Sequence, residues 1–466
     1  MTKTRFAPSP TGYVHIGNVR TALFNALLAK HDKGIFLLRI EDTDQNRSEE
    51  TYAEQLQHDL LWLGLAWQEG PGVGGDQVPY FQSQRQSIYA QYYQQLEEAK
   101  HVYPCFCSDQ ELAIARKLQL SSGKPPRYQG TCRQLSAEQI KQKIEQGLKP
   151  TLRFRVPDSQ VIEFNDFVRG PQRFQSNEIG DFVIRRGDGT AAFFFCNAID
   201  DAVMKVTHVL RGEDHLTNTP RQLMILQALG LPFPQYGHMA LIVGPDGAPL
   251  SKRHGSRNIK ELKQLGFLPQ AIINYLGRLG HYYPDNSYMD LTQLATNFSV
   301  SALGSAPARY DQEQLLYWQK QAVQHLDESS LWDWLGAEVQ QLIPTTAKNL
   351  FIQTIKANIT FPTDALHWAK IFFTDLHYSA ESSAILKQAD AKLFETAITV
   401  LAQAGTDFKA LSNAVSQQLN IKGKALFQPL RVALTGELHG PEMGHIVELL
   451  GKDKIHARLT AASEIK

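Results

Sequence analysis

Cysteine is scarce, with four residues in a chain of 466, too few for a disulfide framework at this size. Net charge is absent. Lys plus Arg and Asp plus Glu each number 47, which excludes a histone-like basic coat but leaves room for a local RNA-binding patch. Long apolar runs are missing too. The most apolar stretch lies near Leu60 to Trp67, far short of the about 20 residues a membrane span needs. No apolar h-region follows Met1-Thr2-Lys3-Thr4-Arg5, so no signal peptide is expected. Repeats, low-complexity tracts and like-charge runs are also lacking, and domain boundaries must come from turns and pattern changes. What remains is ordinary: 43 % hydrophobic and 20 % charged residues, as in soluble globular proteins, and length for about three domains. A cytoplasmic protein without membrane contact is expected.

The first hundred residues alternate short apolar strands with amphipathic helices. Thr4 to Ala7 and Gly34 to Ile40 read as strands, and Val19 to Lys30, Glu49 to Leu63 and Ser83 to Ala99 as helices. That alternation predicts a parallel α/β sheet. From Tyr103 to about Arg186 the chain turns mixed and turn-rich, and α/β character returns with Ala191 to Ile199, Lys205 to Leu210 and the helix Thr219 to Leu229. An interruption of about a hundred residues predicts an inserted domain. From about Asn258 the chain reads as nearly all helical, broken at Gly423, Gly436 and Gly440. Cys196, without a cysteine neighbour, is expected in the core.

Two stretches carry nucleotide chemistry. In the first, Phe6-Ala7-Pro8-Ser9-Pro10-Thr11-Gly12-Tyr13-Val14-His15-Ile16-Gly17-Asn18 joins the first strand to the first helix. A helix N-terminus offers unpaired N–H groups and a positive dipole end. Gly17 would let a nucleotide approach the backbone, and His15 can donate to a phosphate oxygen. A plain turn with a capping His fits the same residues. In the second, Gly244-Pro245-Asp246-Gly247-Ala248-Pro249-Leu250-Ser251-Lys252-Arg253-His254-Gly255 is a glycine-bounded loop presenting two adjacent cations. It could close on a triphosphate or simply be a solvated loop. No Walker A pattern occurs.

Together the two stretches resemble the paired HIGH and KMSKS signatures of class I aminoacyl-tRNA synthetases. The likeness is closer to one branch. Arg5-Phe6-Ala7-Pro8-Ser9-Pro10-Thr11-Gly12, Ile40-Glu41-Asp42-Thr43-Asp44, and Val209-Leu210-Arg211-Gly212-Glu213-Asp214-His215 with the following Thr217 to Gln222 resemble bacterial glutamyl-tRNA synthetases. The resemblance implies a Rossmann-type catalytic domain with an inserted acceptor-binding domain, followed by an all-α C-terminal half. The implied boundaries are 1–100 and 187–257 for the catalytic halves, 101–186 for the insertion, 258–325 for a stem-contact domain and 326–466 for an anticodon-binding region. It also implies ATP-dependent activation of L-glutamate, with Mg2+, and transfer to tRNA(Glu). It leaves open whether tRNA(Gln) is charged as well or instead. The family pattern further implies a monomer.

By the same resemblance, glutamate would meet Arg5, Ala7, Ser9, Glu41, Phe193, Asn197 and Arg211, and ATP would meet His15, Gly17, Asn18, Asp214, Ile242 and Lys252. Catalysis would rest on His15, Gly17, Lys252 and Arg253. A guanidinium grips a carboxylate bidentately, so two arginines suit a dicarboxylate and disfavour its amide. Three positions depart from the pattern. Phe193 stands where a tyrosine is common, Pro249 takes the first-lysine place of the mobile loop, and Asn18 falls at a position that varies. A tRNA-binding paralogue with little catalysis and a small-molecule adenylyltransferase are the competing classes. The long tail and the glutamate-type blocks speak against the second.

Cys105-Phe106-Cys107 and Cys132 resemble the structural zinc site of some glutamyl-tRNA synthetases. Gln134 stands where that pattern has His, and Tyr128 resembles a fourth ligand of shorter relatives that modify queuosine. Three small buried thiols without metal fit equally. In the tail, Leu268 to Leu276 and Gly423 to Gly436 resemble the family's post-loop helix and anticodon-binding region.

Overall fold

The first strand is buried along its whole length although half its residues are cationic. β1 (Lys3–Phe6) keeps both charges inside because each has a carboxylate: Lys3 lies 2.7 Å from Glu69 and Arg5 lies 3.3 Å from Asp201. The computed structural model describes residues 1–44, 49–251 and 254–465. After β1 come α1 (Ile16–His31), β2 (Ile35–Leu38), α2 (Glu50–Trp62) and α3 (Gln86–Glu98). These are the strands and helices the periodicity predicts, with ends moved by a few residues.

Beyond α3 the chain leaves this pattern. β3 (Val102–Cys105), α4 (Asp109–Ser121), α5 (Ala137–Glu145), β4 (Thr151–Phe154), β5 (Val161–Asp166), β6 (Gly170–Gln175), α6 (Ser176–Ile179) and β7 (Phe182–Arg185) follow. They build a three-stranded antiparallel sheet, β3-β4-β7, and a β5-β6 hairpin. The parallel sheet resumes after α7 (Phe193–Val203) with β8 (His208–Gly212), α8 (Thr219–Ala228) and β9 (Gln235–Met239). Its order is β2-β1-β8-β9, every pair parallel. From β1 the chain goes to β2 on one side, while β8 lies on the other. That reversal opens a crevice beyond the carboxyl ends of the central strands, where open α/β sheets bind ligands.

Next are β10 (Ile242–Val243), α9 (Ile259–Gln264), α10 (Pro269–Arg278), α11 (Leu291–Thr296), β11 (Ala308–Arg309) and α12 (Gln312–His325). Within the nearly all-helical tail that the pattern predicts, β11 is a two-residue exception. It pairs in parallel with β10, Ile242 opposite Ala308, a two-residue contact too short to leave a period-2 pattern. The chain divides into two compact units, one of residues 1–262 and 272–315, the other of 263–271 and 316–466.

The second unit is helical: α13 (Glu328–Leu335), α14 (Ala337–Gln340), α15 (Lys348–Ile355), α16 (Pro362–Phe373) and α17 (Ala380–Gln388), then α18 (Leu393–Ala404), α19 (Phe408–Leu419), α20 (Lys424–Thr435) and α21 (Met443–Glu464). The glycine breaks act as stops, with Gly423 preceding α20 and Gly436 ending it in the left-handed region at φ 72°, where L-residues are strained. Cys196 is fully buried, as expected.

Gly34 sits just before β2, and a Cβ there would lie 2.0 Å from the Thr2 carbonyl oxygen. Backbone cannot yield as a side chain can. Gly34→Ala is expected to destabilise the chain by about 1–3 kcal/mol, seen as a lower midpoint in thermal or denaturant unfolding.

Candidate active site

A cavity of about 650 Å³ opens at the crevice beside β1 and β8. Every strand-end there contributes. The turn after β1 brings Ala7 and Ser9, the start of α1 brings His15, Gly17 and Asn18, and the residue three past β2 brings Glu41. Phe193 and Asn197 come from α7, Arg211 from β8, Asp214 from the turn beyond it, and Ile242 from β10. With Arg5, these are all the expected glutamate and ATP positions within the described residues, and all line one cavity. Lys252 and Arg253 lie outside the described residues.

The floor is a set of buried charges. Arg39, fully buried, donates to Asp201 at 2.8 Å and to Glu41 at 2.9 Å. Arg5 reaches the same Asp201 at 3.3 Å. Burial works to raise the Asp201 pKa, but Arg5 and Arg39 outweigh it and hold the carboxyl below its usual value. Glu41 goes the other way, since its desolvation exceeds what Arg39 returns, and its pKa is raised. Glu41 is aimed by backbone pairing, its N–H donating to the Pro8 carbonyl at 2.9 Å.

From Glu41 a directional chain of hydrogen bonds crosses the cavity wall. Asn197 Nδ2 donates to Glu41 at 2.5 Å, Gln222 Nε2 donates to Asn197 Oδ1 at 2.7 Å, and Arg211 donates to Gln222 Oε1 at 2.7 Å. A carboxylate only accepts and a guanidinium only donates. Both amides between them therefore have a single consistent orientation.

Arg211 is 4 % exposed and differs from Arg5 and Arg39 in its partners. It donates to His238 Nε2, the Thr219 hydroxyl, Gln222 and the His215 carbonyl, all neutral acceptors. Its Nη1, buried, has no acceptor among the described residues. Burial, with no carboxylate in contact, pushes its pKa down to about 10, still cationic at neutral pH. A desolvated cation with a spare donor in a cavity wall invites an anion. His215 stays neutral beside it, burial and Arg211 lowering its pKa to about 4.

At the other end, His15 is the residue before α1, with extended backbone and no side-chain cap bond, so the capping-His alternative fails. A Cβ on Gly17 would meet nothing, leaving the helix N-terminus open to the cavity. The Phe193 ring lies 5.4 Å from that of His215, keeping an apolar wall without a hydroxyl. Beyond β10 the loop folds back, with Val243 bridged to Pro249, Leu250 donating to Ile242 at 3.0 Å and His254 Nε2 3.0 Å from Asp246.

Chain and site have clear relatives. Residues 1–317 match the family described as tRNA synthetases class I (E and Q), catalytic domain, and residues 310–463 match an anticodon binding domain. The chain belongs to that synthetase family. It is 55 % identical over 465 residues to a glutamate–tRNA ligase 2 of Coxiella burnetii, covering 100 % of both chains. Identity to a glutamate–tRNA ligase 2 of Nitrosococcus oceani is 54 % over 458 residues, 98 % of this chain and 97 % of that one. A crystal structure of a glutamate tRNA ligase from Elizabethkingia meningosepticum in complex with its amino acid superposes with TM-score 0.89 at 28 % identity, covering 99 % of each chain.

The synthetase's supporting residues were less visible in its sequence. Arg39, Asp201, Gln222 and His238 belong to the same network, and only two local signs mark them: an arginine closing the apolar run Ile35 to Leu38, and the acid pair Asp200-Asp201 in a mostly apolar helix. Away from the cavity, Cys105, Cys107 and Cys132 converge with their sulfurs within 4.8 Å of one another. Tyr128 joins them, its hydroxyl 3.4 Å from the Cys105 sulfur and 3.6 Å from that of Cys107. Burial raises the Cys105 pKa, but hydrogen bonding with Tyr128 and Arg153 outweighs it and brings the thiol to about 7.

Removing Arg39 would leave Asp201 and Glu41 buried without their shared cation. Arg39→Met is expected to cost about 3–5 kcal/mol of stability, measurable by urea unfolding, while an exposed control such as Lys117→Met stays within about 0.5 kcal/mol.

Proposed function

We infer that the protein is a glutamate–tRNA ligase. The observation that carries this is Arg211, a buried cation facing the cavity with neutral partners and a spare donor. The near-full-length likeness to chains of that name supports it. Glutamate brings a side-chain carboxylate for Arg211, while glutamine would leave the cation unanswered. Arg5 and Ser9 take part in holding the amino acid, Glu41 pairs with its α-ammonium, and Ala7, Phe193 and Asn197 shape its walls.

ATP, with Mg2+, lies along His15, Gly17, Asn18, Asp214 and Ile242. The α-carboxylate of glutamate attacks the α-phosphorus, forming glutamyl-adenylate and releasing pyrophosphate. Positioning and charge stabilisation supply the rate, with His15 and the loop cations Lys252 and Arg253 meeting the developing phosphate charge. A hydroxyl of the terminal tRNA ribose then attacks the activated carbonyl carbon and AMP leaves. In this reading 101–186 grips the acceptor stem, 258–325 the adjoining stem, and 326–466 the anticodon side of tRNA(Glu), with the enzyme a cytoplasmic monomer. Charging of purified tRNA(Glu) with labelled glutamate in a single-turnover assay is the expected result, with tRNA(Gln) tested separately as a second acceptor. Binding of tRNA with no charging would leave a non-catalytic paralogue, with Phe193 and Pro249 as the first positions to revert.

The cysteine cluster fits zinc. Three thiols and a phenol converge, one thiol already acidified, and zinc favours four ligands of this kind. Cys105, Cys107, Cys132 and Tyr128 would hold it, and its role would be structural, tying β3 to the loop before α5. Elemental analysis is expected to give about one zinc per chain, lost in Cys132→Ser together with thermal stability, because metal binding adds to folding free energy.

A further inference from the structure

Behind Arg211 stands a pair of side chains that the function above does not use. His238 on β9 is fully buried, and Asp166, the last residue of β5, is 1 % exposed. The two meet at 2.5 Å, His238 Nδ1 to Asp166 Oδ2. The other ring nitrogen, Nε2, lies 3.1 Å from Arg211 Nε and 3.1 Å from the Thr219 hydroxyl. An arginine Nε–H can only donate. Nε2 therefore carries the lone pair, and the ring proton sits on Nδ1, facing the carboxylate. Asp166 selects that tautomer.

Asp166 is itself held in one orientation. Its Oδ1 accepts the backbone N–H groups of Val168, Arg169 and His238 at 2.9, 2.9 and 3.2 Å, leaving Oδ2 for the imidazole. The segment is seated on β9, with Phe167 N–H donating to the Tyr236 carbonyl at 2.9 Å. Gly237 makes the room, since a Cβ there would lie 2.2 Å from the Phe167 ring. Burial lowers the His238 pKa against the pull of Asp166, and the nearby Arg211 and Arg5 add to the lowering. The ring is neutral at pH 7.

We propose that Asp166 and His238 are positioning residues for amino-acid recognition: the carboxylate makes the imidazole an acceptor, and the imidazole anchors Arg211 Nε so that Nη1 is left for the substrate's side-chain carboxylate. This rests on the glutamate–tRNA ligase function, in which Arg211 meets that carboxylate. The pair joins the inserted segment to the parallel sheet through one proton position.

Asp166→Asn tests it with almost no change of shape. The three backbone donors keep the amide oxygen at the Oδ1 place, so the amide nitrogen replaces Oδ2 and donates to His238 Nδ1. The ring must then carry its proton on Nε2, which meets Arg211 Nε–H donor against donor. In charging assays with tRNA(Glu), the glutamate KM is expected to rise about tenfold or more while the ATP KM stays within about twofold. His238→Leu should do the same, and His238→Gln, whose amide oxygen can accept from Arg211, should recover most of the loss. If Asp166→Asn does not fold, the Leu against Gln comparison decides. An unchanged glutamate KM in the folded variants, a parallel rise in both KM values, or equal behaviour of Leu and Gln overturns the proposal while wild-type charging stands. Absence of charging by the wild-type chain overturns the glutamate–tRNA ligase function, and this inference with it.

Discussion

Asp201 lies fully buried between Arg5 and Arg39, at 3.3 and 2.8 Å, and the cavity is arranged around it. Bringing charges out of water costs several kcal/mol per ion unless partners meet them. Arg5 belongs to β1, Arg39 follows β2, and Asp201 belongs to α7, so the pairing can be made only when both strands and the helix are in register. Hydrophobic packing alone tolerates small slips; a shared carboxylate between two guanidiniums does not. Glu41, two residues beyond Arg39, is placed by the same constraint.

The hydrogen-bond chain from Glu41 through Asn197 and Gln222 to Arg211 gives the cavity two unlike ends. One is anionic, with a carboxylate whose pKa burial has raised. The other is a cation surrounded by neutral acceptors. An α-amino acid with an acidic side chain has groups for both. Fixed amide dipoles between the ends hold this polarity before any ligand arrives, and preorganised polarity is what electrostatic catalysis and recognition require.

The departures from the family pattern sit at the edges of this network. Phe193 packs against His215 and Phe194 and takes no part in the buried hydrogen bonds. Pro249 sits opposite Val243 in a short bridge, a place in the loop's own fold. Neither interrupts the path from Asp201 to Arg211.

Much of the protein was legible in its residues. The strand–turn–helix at the N-terminus, the alternating elements of the first hundred residues and the glycine stops at Gly423 and Gly436 all follow from local causes: periodicity, turn chemistry and backbone conformation. The motif residues of the cavity were legible because they cluster in short contiguous blocks. Other features depended on distance along the chain. Asn197 and Glu41 are 156 positions apart and Arg5 and Asp201 are 196 apart, and no local pattern encodes such a meeting. The sequence by itself determined the element types of the first hundred residues and the helical tail, the family and the residues placed at the crevice. Only the tertiary structure decided that Arg39 and Asp201 bind its floor together, that Arg211 has neutral partners and a spare donor, and that His238 must be an acceptor, because hydrogen-bond direction and desolvation are properties of neighbours in space.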